Sequence, residues 1–225
     1  NYVQVKALRK ENGIVNAVVA VDDETGSEHT VYGKVVINAT GVYTDSIRRM
    51  DDPDCPSMIR PSQGVHILLD SSFLQSETAI MVPHTDDGRV LFAIPWLGRV
   101  VVGTTDPAVD GTPLEPKAAE EEIEFLLSHA ARYLTHDPER KDVLSVFAGL
   151  RPLVSLSKGE ENTAAISRDH TVNLSRSGLL TIAGGKWTTY RKMAEDTVDQ
   201  AALIAGLQTR PCVTRDLNIH GHLHH

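Results

Sequence analysis

Three groupings of residues in this 225-residue chain have types and spacing suited to chemistry. The first is the run Leu179-Leu180-Thr181-Ile182-Ala183-Gly184-Gly185-Lys186-Trp187-Thr188, an apolar strand that passes through two glycines into a helix. The first amides of a helix have no intrahelical partner, and the helix dipole adds partial positive charge there. Glycine lets a ligand approach that backbone closely, so a negatively charged or electron-rich group is welcome at Gly185, Lys186, Trp187 and Thr188. The plain alternative is a tight strand-to-helix turn in which glycine serves only its dihedral angles.

The second grouping is cationic. Arg151 closes a strand in Gly149-Leu150-Arg151-Pro152, Arg168 opens another in Ser167-Arg168-Asp169-His170, and Lys186 stands at the helix entrance. Arginine can grip a phosphate through two parallel hydrogen bonds, while lysine offers a compact charge. Taken singly, each cation reads first as half of a surface ion pair, such as Arg168 with Asp169, and only convergence of the three would overturn that. The third grouping is Ser62-Gln63-Gly64-Val65-His66. A histidine kept neutral near pH 7 can take a proton from an alcohol, although a lone histidine opening an apolar strand also serves simply as a structural residue. Gly103-Thr104-Thr105-Asp106 reads as a capped turn in preference to a hydroxyl-lined pocket edge.

These residues must be positioned by short elements. From Tyr2 to Gly41, β-type runs alternate with turn signals (Asn12-Gly13, then Asp22 to Gly26), which predicts an antiparallel meander. It feeds a more continuously apolar strand, Lys34 to Gly41, suited to the middle of a parallel sheet. A helical turn or two is expected over 44–49. Apolar stretches at 65–69, 79–82, 90–94 and 99–103 predict an antiparallel sheet. Ala119, Ile123, Leu126, Leu127, Ala130 and Leu134 recur at helical spacing from Pro116 onward, with Glu120, Glu121 and Glu122 as a solvated acidic first turn. Strands follow at 145–154, 171–174 and 179–183, then a helix from Tyr190 to Ala205 closed by Gly206.

Composition narrows the class. A formal net charge of −8 argues against a nucleic-acid binder, which needs a basic footprint. Two cysteines, Cys55 and Cys212, make neither a disulfide framework nor a zinc site, and no metal site is expected. The His220, His222, His224 and His225 tail reads as a frayed or processing remnant. No apolar run approaches the ~18 residues of a membrane span, and no targeting segment is expected within the chain. It carries no Gly-x-Gly-x-x-Gly, no phosphate-binding P-loop and no Gly-x-Ser-x-Gly. The opening at Asn1, inside a strand-like pattern, suggests a segment of a longer protein.

Six motifs together resemble the FAD-dependent glycerol-3-phosphate dehydrogenases of mitochondria and aerobic bacteria. They are Ile37-Asn38-Ala39-Thr40-Gly41, Pro61 to Ile67, Ile94-Pro95-Trp96-Leu97 with Gly103 to Asp106, Gly149 to Leu153, Ile166 to His170, and Ile182 to Arg191. The resemblance runs from about Val35 to Asp199 in unbroken order, with Val42-Tyr43 standing where many relatives have Pro and an aromatic residue.

The resemblance implies a mixed α/β and α+β fold of the D-amino-acid-oxidase type, in which part of a Rossmann-like FAD domain is interleaved with an antiparallel β substrate domain. Residues 1–58 and 149–209 would belong to the FAD domain, 59–148 to the substrate domain and 210–225 to a tail. Ala39, Thr40, Gly41, Gly184, Gly185, Lys186, Trp187 and Thr188 would contact FAD, the backbone from Gly185 to Thr188 facing the flavin pyrimidine end. Arg151, Arg168 and Lys186 would converge on the substrate, with Arg151 also catalytic. His66 would be the base for oxidation of sn-glycerol 3-phosphate to dihydroxyacetone phosphate.

The further implications concern partners and place. Electrons would pass to quinone, or to oxygen if the protein is a glycerol-3-phosphate oxidase. The parent protein would sit peripherally on the bacterial cytoplasmic or mitochondrial inner membrane, and a homodimer is compatible with the resemblance. The segment alone is expected to be inactive; a non-catalytic binding module is the reading of a different class.

Overall fold

The computed structural model describes residues 1–83, 85, 88–155 and 169–222. The chain divides into two compact units, Asn1–Ile59 with Ser167–His225, and Arg60–Ile166.

In the first unit, β1 (Val3–Glu11), β2 (Ile14–Asp22) and β3 (Glu28–Tyr32) form an antiparallel meander. Asn12 and Gly13, both at positive φ (52° and 81°), make the two-residue turn whose twist matches the flanking strands. A second sheet has the order β10–β11–β4, built from β4 (Val36–Asn38), β10 (His170–Leu174) and β11 (Leu179–Gly184). β4 and β11 run parallel, with Leu180 opposite Ile37 and Thr181 opposite Asn38. Leu179 to Ala183 is buried throughout, as a strand covered on both faces requires.

β4 is shorter than the apolar run Lys34 to Gly41 predicts. The buried Asn38 ends it: its amide donates to the Thr44 carbonyl at 3.0 Å, and its side-chain oxygen accepts from the Thr40 hydroxyl at 2.7 Å. Those bonds turn the chain into α1 (Thr44–Asp51). Val15, Ile47 and Leu179 form the small core beneath, joined by Val5, Leu8 and Val36. The buried carboxylate of Asp45 accepts the amides of Met58 and Ile59, both at 2.9 Å, and pairs with Arg48 at 2.7 Å. α3 (Tyr190–Ile204) follows the glycine pair.

The second unit is a five-stranded sheet of order β6–β7–β8–β5–β9. Its strands are β5 (Ile59–Asp70, whose first residue closes the first unit's leading segment), β6 (Ile80–Val82), β7 (Leu91–Trp96), β8 (Arg99–Gly103) and β9 (Ser145–Val154). β9 spans the boundary expected at 148–149 and lies whole in this sheet. Alternation sends Val65, Ile67, Leu69, Leu91, Ala93, Val100 and Val102 to one face, where Ile123, Leu126, Leu127 and Ala130 of α2 (Glu120–Ala130) cover them. α2 begins four residues later than the apolar spacing suggests, because Ala119 is extended (φ −76°, ψ 152°) and Glu122 reaches back to cap its amide at 3.0 Å. No described helix is long and apolar enough to cross a membrane.

Asp45→Ala leaves two buried amides without their acceptor and Arg48 with only the Pro56 carbonyl, and is expected to lower unfolding stability by about 2–3 kcal/mol in urea titrations. A change within experimental error would mean that water replaces the carboxylate there.

Candidate active site

His66 lies on the face of the second unit's sheet opposite α2, in register with Gly103 of β8, which in turn faces Phe92 of β7. Its ring stacks on Phe147 of β9, centroids 5.0 Å apart and planes 4° from parallel. The missing Cβ of Gly103 makes room for it: a Cβ built there would stand 2.1 Å from His66 Cδ2. Gly64, two residues earlier on the same face of β5, does the same for Arg151, whose Nη2 would stand 2.3 Å from a Cβ. Neither glycine has a positive φ. Space, not backbone freedom, calls for glycine at both positions.

The imidazole and the guanidinium therefore lie side by side, 85 residues apart in sequence. Burial holds the His66 pKa below its ordinary value of 6.5, and the Arg151 charge lowers it further. At pH 7 this histidine is neutral and able to accept a proton.

Arg151 is gripped along one edge. Nη1 donates to the Thr105 carbonyl at 3.1 Å and to Asp106 Oδ1 at 2.9 Å, while Nη2 donates to Thr104 Oγ1 at 2.8 Å. Gly103-Thr104-Thr105-Asp106 is thus not the plain capped turn its composition suggests. β8 ends at Gly103, and the chain then runs beside the start of β5, with the Gln63 amide donating to the Pro107 carbonyl at 2.9 Å and Ser62 bridged to Ala108. This return brings three acceptors to one guanidinium.

Glu122 also departs from expectation. It is half-buried, accepting from Thr105 Oγ1 at 2.7 Å and Gln63 Nε2 at 2.6 Å, so it braces the site and is not part of a solvated face. The one available signal was a carboxylate three residues after an extended Ala119, the spacing of a capping box.

In the first unit β4 and β11 run parallel, so Ala39, Thr40 and Gly41 leave β4 at the end of the sheet toward which β11 carries Gly184. Ligands of open parallel sheets bind outside such carboxyl ends. Gly184 and Gly185 both have φ of 75°, a conformation side chains disfavour, and a Cβ on Gly185 would stand 2.4 Å from Met193 Sδ of α3. Gly41, at φ 59°, has open space where its Cβ would be.

Two amides of the backbone quartet expected to face a ligand have partners within the chain. The Lys186 amide donates to Thr189 Oγ1 at 3.0 Å and the Gly185 amide to the Asp169 carbonyl at 3.4 Å. The amides of Trp187 and Thr188, which open the helical turn, remain at its mouth beside an indole 88% exposed. Two glycines at positive φ, the open space at Gly41, two helix-opening amides and an exposed aromatic ring suit a dinucleotide carrying an electron-rich ring, so the residues present fit FAD. Lys186 belongs to this unit and Arg151 to the other, and Arg168 lies outside the described residues.

Comparison with known proteins agrees with this architecture. The pattern of the DAO family, FAD dependent oxidoreductase, matches residues 1–191, and the chain belongs to that family. It is 44% identical over 229 residues to the mitochondrial glycerol-3-phosphate dehydrogenase of Macaca fascicularis, covering 98% of this chain. It is 48% identical over 198 residues to the mitochondrial glycerol-3-phosphate dehydrogenase of Arabidopsis thaliana, covering 88% of this chain. The chain spans 31% of the length of each of these relatives. The solved structure of glycerol-3-phosphate dehydrogenase from Bacillus halodurans, complexed with FAD, superposes with a TM-score of 0.82 at 37% identity, over 95% of this chain and 40% of that one.

Gly103→Ala is expected to push the imidazole off the sheet and out of its stack with Phe147. NMR titration should then show the His66 midpoint rising toward 6.5 as burial and the neighbouring charge are lost. An unmoved midpoint would mean the ring tolerates the added carbon.

Proposed function

We propose that this chain carries part of the active site for FAD-dependent oxidation of sn-glycerol 3-phosphate to dihydroxyacetone phosphate. One observation carries the reading: a histidine held neutral lies against an arginine on an apolar sheet face, in a chain 44–48% identical to named glycerol-3-phosphate dehydrogenases. FAD, when bound, supplies the acceptor for the two electrons that leave C2 with its hydrogen.

His66 accepts the C2 hydroxyl proton through a ring nitrogen, and its neutrality at pH 7 makes it a base without prior deprotonation. Arg151 holds the phosphate or polarises the C2 oxygen, with Lys186 and Arg168 as the other cations of the substrate site. Ala39, Thr40, Gly41 and the segment Gly184 to Thr188 hold FAD. There the Trp187 and Thr188 amides stabilise negative charge on an electron-rich ring. Quinone is the proposed electron acceptor, reached through peripheral association of the whole protein with the mitochondrial inner or bacterial cytoplasmic membrane.

In the full-length flavoenzyme, anaerobic mixing with glycerol 3-phosphate should bleach the flavin absorbance, and a quinone analogue should restore it faster than oxygen does. No bleaching would sink the reading; faster restoration by oxygen would make the protein an oxidase. Arg151→Ala and Lys186→Ala are each expected to lower kcat/KM at least ~10-fold by removing a charge-assisted phosphate contact.

The acid limb of the kcat/KM profile belongs to His66 and should fall below pH 6.5 in the wild type. Removing the Arg151 cation favours the protonated imidazole. The limb of Arg151→Ala should therefore move to higher pH, and a limb that stays put would detach it from His66.

A further inference from the structure

The clamp on Arg151 has a part that no substrate contact requires. Asp106 is a carboxylate only 6% exposed, and its Oδ1 takes two donors at once, Arg151 Nη1 at 2.9 Å and Ser62 Oγ at 2.5 Å. A buried carboxylate is costly unless paired and hydrogen-bonded, so this atom anchors whatever holds it. Its neighbours are locked as well. Thr105 Oγ1 accepts the Val65 amide at 3.0 Å while donating to Glu122, which caps α2.

The guanidinium is a rigid planar fork, so fixing Nη1 and Nη2 fixes the orientation of the whole group. Three consecutive residues, 104 to 106, supply acceptors to Nη1 and Nη2, and Gly64 lets the group lie directly on β5. The Arg151 side chain nevertheless keeps 28% of its surface exposed, against 8% for Asp106. One partner is committed to the interior, and the other is presented outward beside His66.

We propose that Asp106, held by Ser62, is a positioning residue that orients Arg151 beside His66 so that a phosphorylated alcohol meets cation and base in one geometry. This rests on the reading of the chain as acting on glycerol 3-phosphate. It makes a prediction opposite to simple electrostatics. An anion paired with Arg151 weakens that cation's pull on a phosphate dianion. If Asp106 acted through charge alone, a neutral replacement would bind substrate more tightly. If it acts by orientation, the same replacement impairs turnover despite the favourable change in charge.

The test uses the full-length flavoenzyme carrying Asp106→Asn, and separately Ser62→Ala, which removes the supporting hydroxyl while leaving the ion pair intact. Both are expected to lower kcat/KM with glycerol 3-phosphate, Asp106→Asn by at least ~10-fold and Ser62→Ala by less. In an Arg151→Ala background, either change should cost less than about twofold further, since the group it orients is gone. Crystals of the Asp106→Asn enzyme should show the guanidinium displaced from Thr104 and Thr105.

An unchanged or raised kcat/KM, losses that multiply in the Arg151→Ala background, or a guanidinium that stays in place would each overturn the proposal. A wild-type enzyme that fails to oxidise glycerol 3-phosphate would sink the functional reading instead. The crystallographic comparison would still decide whether Asp106 sets the position of Arg151.

Discussion

A carboxylate shut away from water must be surrounded by donors, and that requirement organises the part of this protein best suited to chemistry. Asp106 satisfies it with a serine from the start of β5 and an arginine from β9, strands that neighbour one another in the five-stranded sheet. Breaking such an arrangement from one side leaves an uncompensated charge, which costs about 3–5 kcal/mol. The geometry of the clamp is therefore stiff, and the arginine inherits that stiffness. The same logic recurs in the first unit, where Asp45 gathers two amides and a guanidinium, and the buried Asp51 pairs with Lys10 and accepts from Ser177. Burial alone would raise the Asp51 pKa, but the bonds from Lys10, Ser177 and Ser175 outweigh it and hold it below the usual carboxylate value.

A second constraint is steric. A sheet face is crowded by its own side chains, and a large polar group lies flat on it only where the adjoining position lacks a Cβ. Gly64 and Gly103 create two such clearings beside each other, one for a guanidinium and one for an imidazole. The imidazole is then pressed between a glycine and the Phe147 ring, where desolvation favours its neutral form. Packing and proton affinity follow from the same missing methyl groups.

How much of this was legible beforehand depends on the distance over which each feature is encoded. The meander, the glycine pair before α3 and the amphipathic α2 are written in local spacing and turn residues. They could be read without knowing where the chain goes next. The ends of β4 and α2 were less legible, because Asn38 and Glu122 set them through hydrogen bonds to side chains and backbone several residues away. His66, Arg151 and Lys186 stood out as residue types in suggestive motifs. Ser62, Thr104 and Asp106 lie in the same motifs but without a role of their own, and Glu122 looks like a surface residue, since nothing in a linear reading joins them.

Composition and short-range pattern by themselves determined the classes of element, the absence of a basic footprint and the strand–glycine–helix joint. They act over a few residues, where dihedral preference and hydrophobic period dominate. Only the tertiary structure decided that Ser62, Asp106 and Arg151 share one oxygen, although 44 and 45 residues separate Asp106 from its two partners. It also decided that two glycines are there for clearance and that half of the expected amide quartet is already bonded. Those outcomes depend on strand register and on the path of a return segment, and a one-residue slip would have sent every one of these side chains to the opposite face.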